Sequence, residues 1–117
     1  MNRSKLREII ITILYQSYIY DDKNISYDID NLIKENQITI NNLANKYMKD
    51  WNIDRLSKVD KAIISLAIYE LTEADTPSVV AINEAIELSK KYSDEKVTKL
   101  INGILDKILH EEVSNEW

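Results

Sequence analysis

Residues Pro77–Ile108 read PSVVAINEAIELSKKYSDEKVTKLINGILDKI, and their spacing decides the fold class. Val80, Ala81, Ile82, Ala85, Ile86 and Leu88 recur at helical intervals, and after a polar break Val97, Leu100, Ile101, Ile104, Leu105 and Ile108 do so again. Two amphipathic helices are expected, the first running to about Lys91. Pro77 suits a first helical turn, where its missing N–H costs nothing. Ser93 can cap the second helix, with Asp94 and Glu95 in the first turn, where anions suit the helix dipole. Gly103 lies inside that helix and is the only glycine in the chain. A glycine there costs about 1 kcal/mol relative to alanine, which reads as room for close helix approach. The stretch contains no nucleophile, metal cluster or phosphate loop, so its regularity points to packing and partners.

Upstream, EADTPS breaks the pattern and separates this pair from another helix, expected over 58–73. Ser57 and Asp60 resemble a capping box at its start, with Asp in place of Glu or Gln. Val59, Ile63, Leu66, Ala67 and Leu71 form one stripe, and Ile64 and Ile68 widen it until the helix is apolar almost all round. Such a helix belongs in the middle of its domain. Ile40, Leu43, Ala44, Tyr47, Met48 and Trp51 predict a helix at about 39–51, followed by the capping candidates Asn52, Asp54 and Ser57. Residues 21–31 read as an acidic loop leading into a short helix near Ile29, Leu32 and Ile33.

At the start of the chain, Leu6, Ile9, Ile10, Ile13, Leu14 and Ser17 share one helical face, with Arg3, Lys5 and Arg7 gathered at the N-terminus. Cations there oppose the helix dipole. They are either solvated charges at a loose end or a phosphate-contacting tip.

Composition bounds the class. With 117 residues and 13.7 kDa, one domain is expected, over 1–110, with 111–117 as a frayed tail. One Gly and one Pro are too few for the turns of a sandwich or barrel, so the fold class is all-α. The chain has no cysteine and its only histidine is His110, which excludes a disulfide framework and leaves no zinc site to assemble. No cofactor is called for. No apolar run reaches the roughly 18–20 residues of a membrane span, so a soluble, cytoplasmic protein is expected. The net charge of −5 disfavours nucleic acid on average, but the basic residues are unevenly placed.

WNIDRLSKVDKAIISLAIYEL, then VAINEAIELSKKY, then KLINGILDKI closely resemble the NusB family of transcription antitermination factors, over about residues 47–108. REIIITILYQ, from Arg7 to Gln16, more weakly resembles the family's first helix, which ends in a leucine–aromatic pair, here Leu14 and Tyr15. The resemblance implies a bundle of about five to seven helices in two packed subdomains and no enzymatic activity. It also implies pairing with NusE, the small-ribosomal-subunit protein ten. That heterodimer would bind boxA RNA and help assemble an antitermination complex on RNA polymerase. Carried over by position, the RNA contacts would be Arg3, Lys5, Arg7, Tyr15, Lys96, Lys99 and Leu100. The family commonly has an aromatic where Leu100 stands. The NusE contact would be the acidic start of the central helix, Asp60 above all, with Asp54 nearby. Cations with aromatic rings are what single-stranded RNA requires, provided that the starts of the first and last helices lie side by side. Asp60 could equally cap its own helix. Asn83 and Glu84 of INEA read as hydrogen-bonding residues, since a lone Glu without a partner base is a poor catalyst.

The chain departs from the family before Trp51. Between Ile33 and Leu43 it has only KENQITINN, where members place a longer segment, so the N-terminal subdomain is expected to be abbreviated. Two other readings follow. An RNA cytosine methyltransferase with a NusB-like domain would need a cofactor-binding Rossmann segment, which the sequence does not contain. A protein-interaction module or homodimer that has lost RNA binding would fit the thinner basic cluster.

Overall fold

Every apolar stripe in the sequence closes onto one helix, Lys58–Thr72. The computed structural model describes residues 2–20 and 28–113. In chain order the helices are α1 (Arg3–Tyr20), α2 (Asp28–Glu35), α3 (Gln37–Tyr47), α4 (Lys58–Thr72), α5 (Ser78–Tyr92) and α6 (Glu95–Ile108). A 3-10 turn at Ile53–Arg55 precedes α4, and a π-helical turn at Leu109–Val113 follows α6. The expected loop at 21–31 therefore lies largely outside the described residues, while Asp28–Asn31 already belong to α2. No helix among the described residues is long and apolar enough to cross a membrane.

α4 is buried along both sides, from Asp60 through Ala62, Ile64, Leu66 and Ile68 to Leu71, and packs against each of the other five helices. The N-terminal subdomain, α1–α3, shares a single apolar core with α4–α6. Leu14, Ile33, Ile53, Ile64, Leu105 and Ile108 are fully buried, and complete burial of such a side chain is worth about 1.5–3 kcal/mol. A polar seam crosses this core. Tyr18 Oη donates to Gln37 Oε1 at 2.8 Å, and Gln37 Nε2 donates to the buried Ser65 Oγ at 3.0 Å, so α1, α3 and α4 are joined without an unsatisfied hydroxyl.

Helix directions follow from the cross-links. Arg7 meets Glu70 while Tyr18 lies by Ser65, so α1 is antiparallel to α4. Ser4 meets Glu84 while Glu8 meets Lys91, so α1 runs parallel to α5. The start of α1 thus sits beside the end of α4.

Several boundaries differ from the sequence reading, each for a local reason. α3 ends at Tyr47 instead of Trp51, because Asn45 and Asn52 side chains accept from the backbone N–H groups of Ile53 (2.8 Å) and Asp54 (2.9 Å) and turn the chain. Pro77 is the residue before the first helical turn of α5, not within it. Asp94, not Ser93, caps α6, its Oδ1 accepting from Val97 N at 2.9 Å. Gly103 faces open space: an added Cβ would meet nothing within 4 Å, so close helix approach is not its role. Where the tail is expected to begin, at Glu111, the chain continues in the π-helical turn to Val113. Glu112 Oε1 accepts from Lys46 Nζ at 2.7 Å and Tyr47 Oη at 2.6 Å, and Val113 packs on the core. Residues 114–117 lie outside those described.

Candidate nucleic-acid interface

Asn2 begins α1 by accepting from Lys5 N through Oδ1 at 2.8 Å, which leaves Arg3 and Lys5 exposed on the first turn. Arg7 does not join them. One turn before Ile10 and two before Leu14, it shares their inward stripe and is only 7% exposed. Its Nε and Nη2 donate to Glu70 Oε1 and Oε2, both at 2.8 Å, and Nη1 lies 3.9 Å from Glu84 Oε1, which also accepts from Ser4 Oγ at 2.9 Å. The hydrogen bonds that Arg7 donates to Glu70 raise the Arg7 pKa against the opposing effect of burial. Arg7, expected at the RNA-contacting tip, is in this structure an internal tie between α1, α4 and α5 and is not exposed with Arg3 and Lys5. Glu84 has the hydrogen-bonding role read for it.

Lys96 and Lys99 are both exposed at the start of α6. The Lys96 ammonium stands 5.2 Å from the centre of the Trp51 ring, and Lys99 pairs with Glu95 at 3.4 Å. Leu100 is half-buried against the core. The starts of α1 and α6 are not side by side. Arg3 shares a pocket with Ala74 and Thr76, just past the end of α4, whereas Ser93, two residues before α6, touches Asp60 at the start of α4. Arg3 is thus separated from the turn before α6 by about the length of α4, on the order of 20 Å at 1.5 Å per residue, while Lys5 stands nearer, in one groove with Tyr92.

The seam between α1 and α5 joins the two basic groups. Glu8 on α1 accepts from Lys91 Nζ at 2.7 Å, which lowers the Glu8 pKa and raises that of Lys91. Just beyond, a groove of about 220 Å³ is lined by Lys5, Glu8, Ile9, Thr12, Ile13 and Tyr92. Tyr15 is half-buried one turn beyond Thr12, on the same face by helical spacing. Lys91 and Tyr92 were not singled out by the sequence. The only signal was their position in the last turn of α5, immediately before the polar break.

The acidic candidates divide. Asp54 is exposed and pairs with Lys61 Nζ at 3.2 Å. Asp60 is 6% exposed, and its carboxylate accepts from Ser93 Oγ while its backbone N–H donates to Ser57 Oγ at 3.1 Å. It fastens the start of α4 to the α5–α6 turn and, although expected as a partner contact, is buried in this structure. Only half of the capping box forms, because the carboxylate faces Ser93. Among the described residues, no group of three or more His, Cys, Asp or Glu side chains could hold a metal ion.

Comparison with known proteins places this geometry. The model of the NusB family matches residues 15–110. The transcription antitermination protein NusB of Methylacidiphilum infernorum (isolate V4) is 35% identical over 142 aligned positions, covering all of this chain and 96% of the relative. Since this chain has 117 residues, the relative carries positions without a counterpart here. NusB of Clostridium perfringens (strain SM101 / Type A) is 37% identical, with 92% of this chain and 96% of the relative covered. Among solved structures, T. maritima NusB superposes with a TM-score of 0.86 at 34% identity, over 99% of this chain and 96% of that one. A chain from the crystal structure of a plectonemic RNA supercoil superposes at 0.83 with 23% identity, over 97% and 98% of the two chains, and supports the fold alone. Matched along nearly its whole length in sequence and in helix arrangement, the chain belongs to the NusB family.

Proposed function

We propose that this chain is a transcription antitermination factor that binds boxA-type single-stranded RNA as a heterodimer with NusE and scaffolds an antitermination complex on RNA polymerase. The observation that carries the reading is the exposure of cations at the positions carried over for RNA contact, Arg3 with Lys5 and Lys96 with Lys99, in a chain whose net charge is −5. Evenly spread cations would make no phosphate track on so acidic a protein; cations gathered at two ends of one seam can. With Arg7 and Leu100 turned inward, the free protein's grip on RNA is weak, and NusE supplies much of the affinity. On the protein side, Asp54 is the accessible carboxylate to face a basic ribosomal protein, where it would steer association and register more than affinity.

Titration of labelled boxA RNA with this protein, with NusE and with both tests the reading. The mixture is expected to bind much more tightly than either component, with affinity falling steeply as salt rises. RNA affinity that is negligible even with NusE present would leave a protein-interaction module as the function. Asp54→Lys is expected to weaken NusE binding at low salt, and unchanged affinity would remove that contact.

A further inference from the structure

The two basic ends lie too far apart to grip one phosphate, so what lies between them decides how a strand could cross. We propose that Tyr92 is a base-stacking residue of the single-stranded RNA site, and that the groove between α1 and α5 is the track from the Arg3–Lys5 end to the Lys96–Lys99 end. The proposal rests on the RNA-binding reading above and adds a contact that the family resemblance did not supply.

Tyr92 is 47% exposed in the last turn of α5, beyond the buried Ala81, Ala85 and Leu88 that seat the helix. Its ring borders the groove beside Ile9 and Ile13, with the Lys91 ammonium 5.4 Å from the ring centre. An aromatic wall, an apolar floor and flanking ammonium groups are the components of a sequence-tolerant site for one base and its phosphate. Lys5, exposed in the same groove, forms no ion pair among the described residues and can meet the phosphate directly. Lys91 is held by Glu8, so a phosphate there competes with a carboxylate, and Glu8 is left able to accept from a base N–H. The Ser93–Asp94 turn then carries the track from Tyr92 to Lys96 within four residues. The seam itself is mixed, with Glu8, Glu84 and Glu87 beside Lys90 and Lys91, so the cations at its two ends and the exposed ring decide the occupant: they fit a polyanion that stacks, not an apolar helix.

The test uses the full chain with NusE and boxA RNA bearing 2-aminopurine at successive positions, with folding of each variant checked by circular dichroism. Tyr92→Ala is expected to weaken binding by between about fivefold and a hundredfold. It should abolish the fluorescence quenching at one RNA position and leave the salt dependence unchanged. Tyr92→Phe, which keeps the ring, should bind and quench like the parent, while Lys5→Ala should reduce the salt slope by about one. Parent-like binding and quenching by Tyr92→Ala would overturn the proposal. So would an equal loss in Tyr92→Phe, or a loss confined to NusE assembly. If Tyr92→Ala is silent while Arg3→Ala with Lys99→Ala weakens binding, only the stacking site falls; if the parent with NusE binds no boxA RNA, the functional reading falls with it.

Discussion

Arg7 shows how one residue's helical phase outweighs its neighbours in sequence. In the string Arg3, Lys5, Arg7 it belongs to a basic cluster, but on the helix it belongs with Ile10 and Leu14 and meets Glu70 inside the protein. Removing one partner of a buried pair leaves the other uncompensated, so Arg7→Ala should destabilise the fold by about 3–5 kcal/mol in urea titrations. Arg7→Met combined with Glu70→Leu should cost clearly less than Glu70→Leu alone, since no lone charge is then left buried. Tyr18 makes a second residue-scale case. Burial pushes its hydroxyl up to about 12 from the ordinary 10.0, so between those values the unfolded chain has released a proton that the folded one retains. Stability should therefore fall as pH rises from 10.0 to about 12. Tyr18→Phe should remove that slope in denaturation measured across the window.

At the scale of elements, helix ends were the least legible feature because distant partners decide them. Asp60 looked like a capping residue from its spacing to Ser57, yet its carboxylate is taken by Ser93, 33 residues away. Ser93→Ala should leave that buried carboxylate short of a donor and cost about 1–3 kcal/mol, visible as a lower urea midpoint. Gly103 carries the opposite expectation. Nothing lies within 4 Å of an added Cβ, so Gly103→Ala should stabilise α6 by about 0.5–1 kcal/mol and raise the melting temperature. The π-helical turn is held by Glu112, whose pKa is lowered by hydrogen bonds from Lys46 and Tyr47. A depressed carboxylate stabilises above its ordinary value of 4.5 and ceases to do so as pH falls through its lower folded value. Amide exchange at Leu109–Val113, corrected for intrinsic rate, should therefore loosen on acidification below 4.5, and Glu112→Gln should show that looseness at neutral pH.

For the molecule as a whole, the tertiary arrangement turns two short basic segments into the ends of one seam. Arg3→Ala with Lys99→Ala should weaken boxA RNA binding in the presence of NusE and lower the salt slope by about two, because each cation neutralises its own phosphate. Of the fold, the sequence by itself determined the helical class, the central position of α4 and membership of the family. Those depend on periodic burial, and a stripe such as Ile63, Leu66, Ala67 and Leu71 carries its period along the chain wherever its partners come from. It also placed exposed cations at Arg3, Lys5, Lys96 and Lys99. Only the tertiary structure decided that Arg7 and Asp60 are internal, that the two basic ends stand apart, and that Tyr92 opens onto the groove between them. Each of those depends on which residues of another helix stand opposite, and such pairings across tens of positions leave no period in a single sequence.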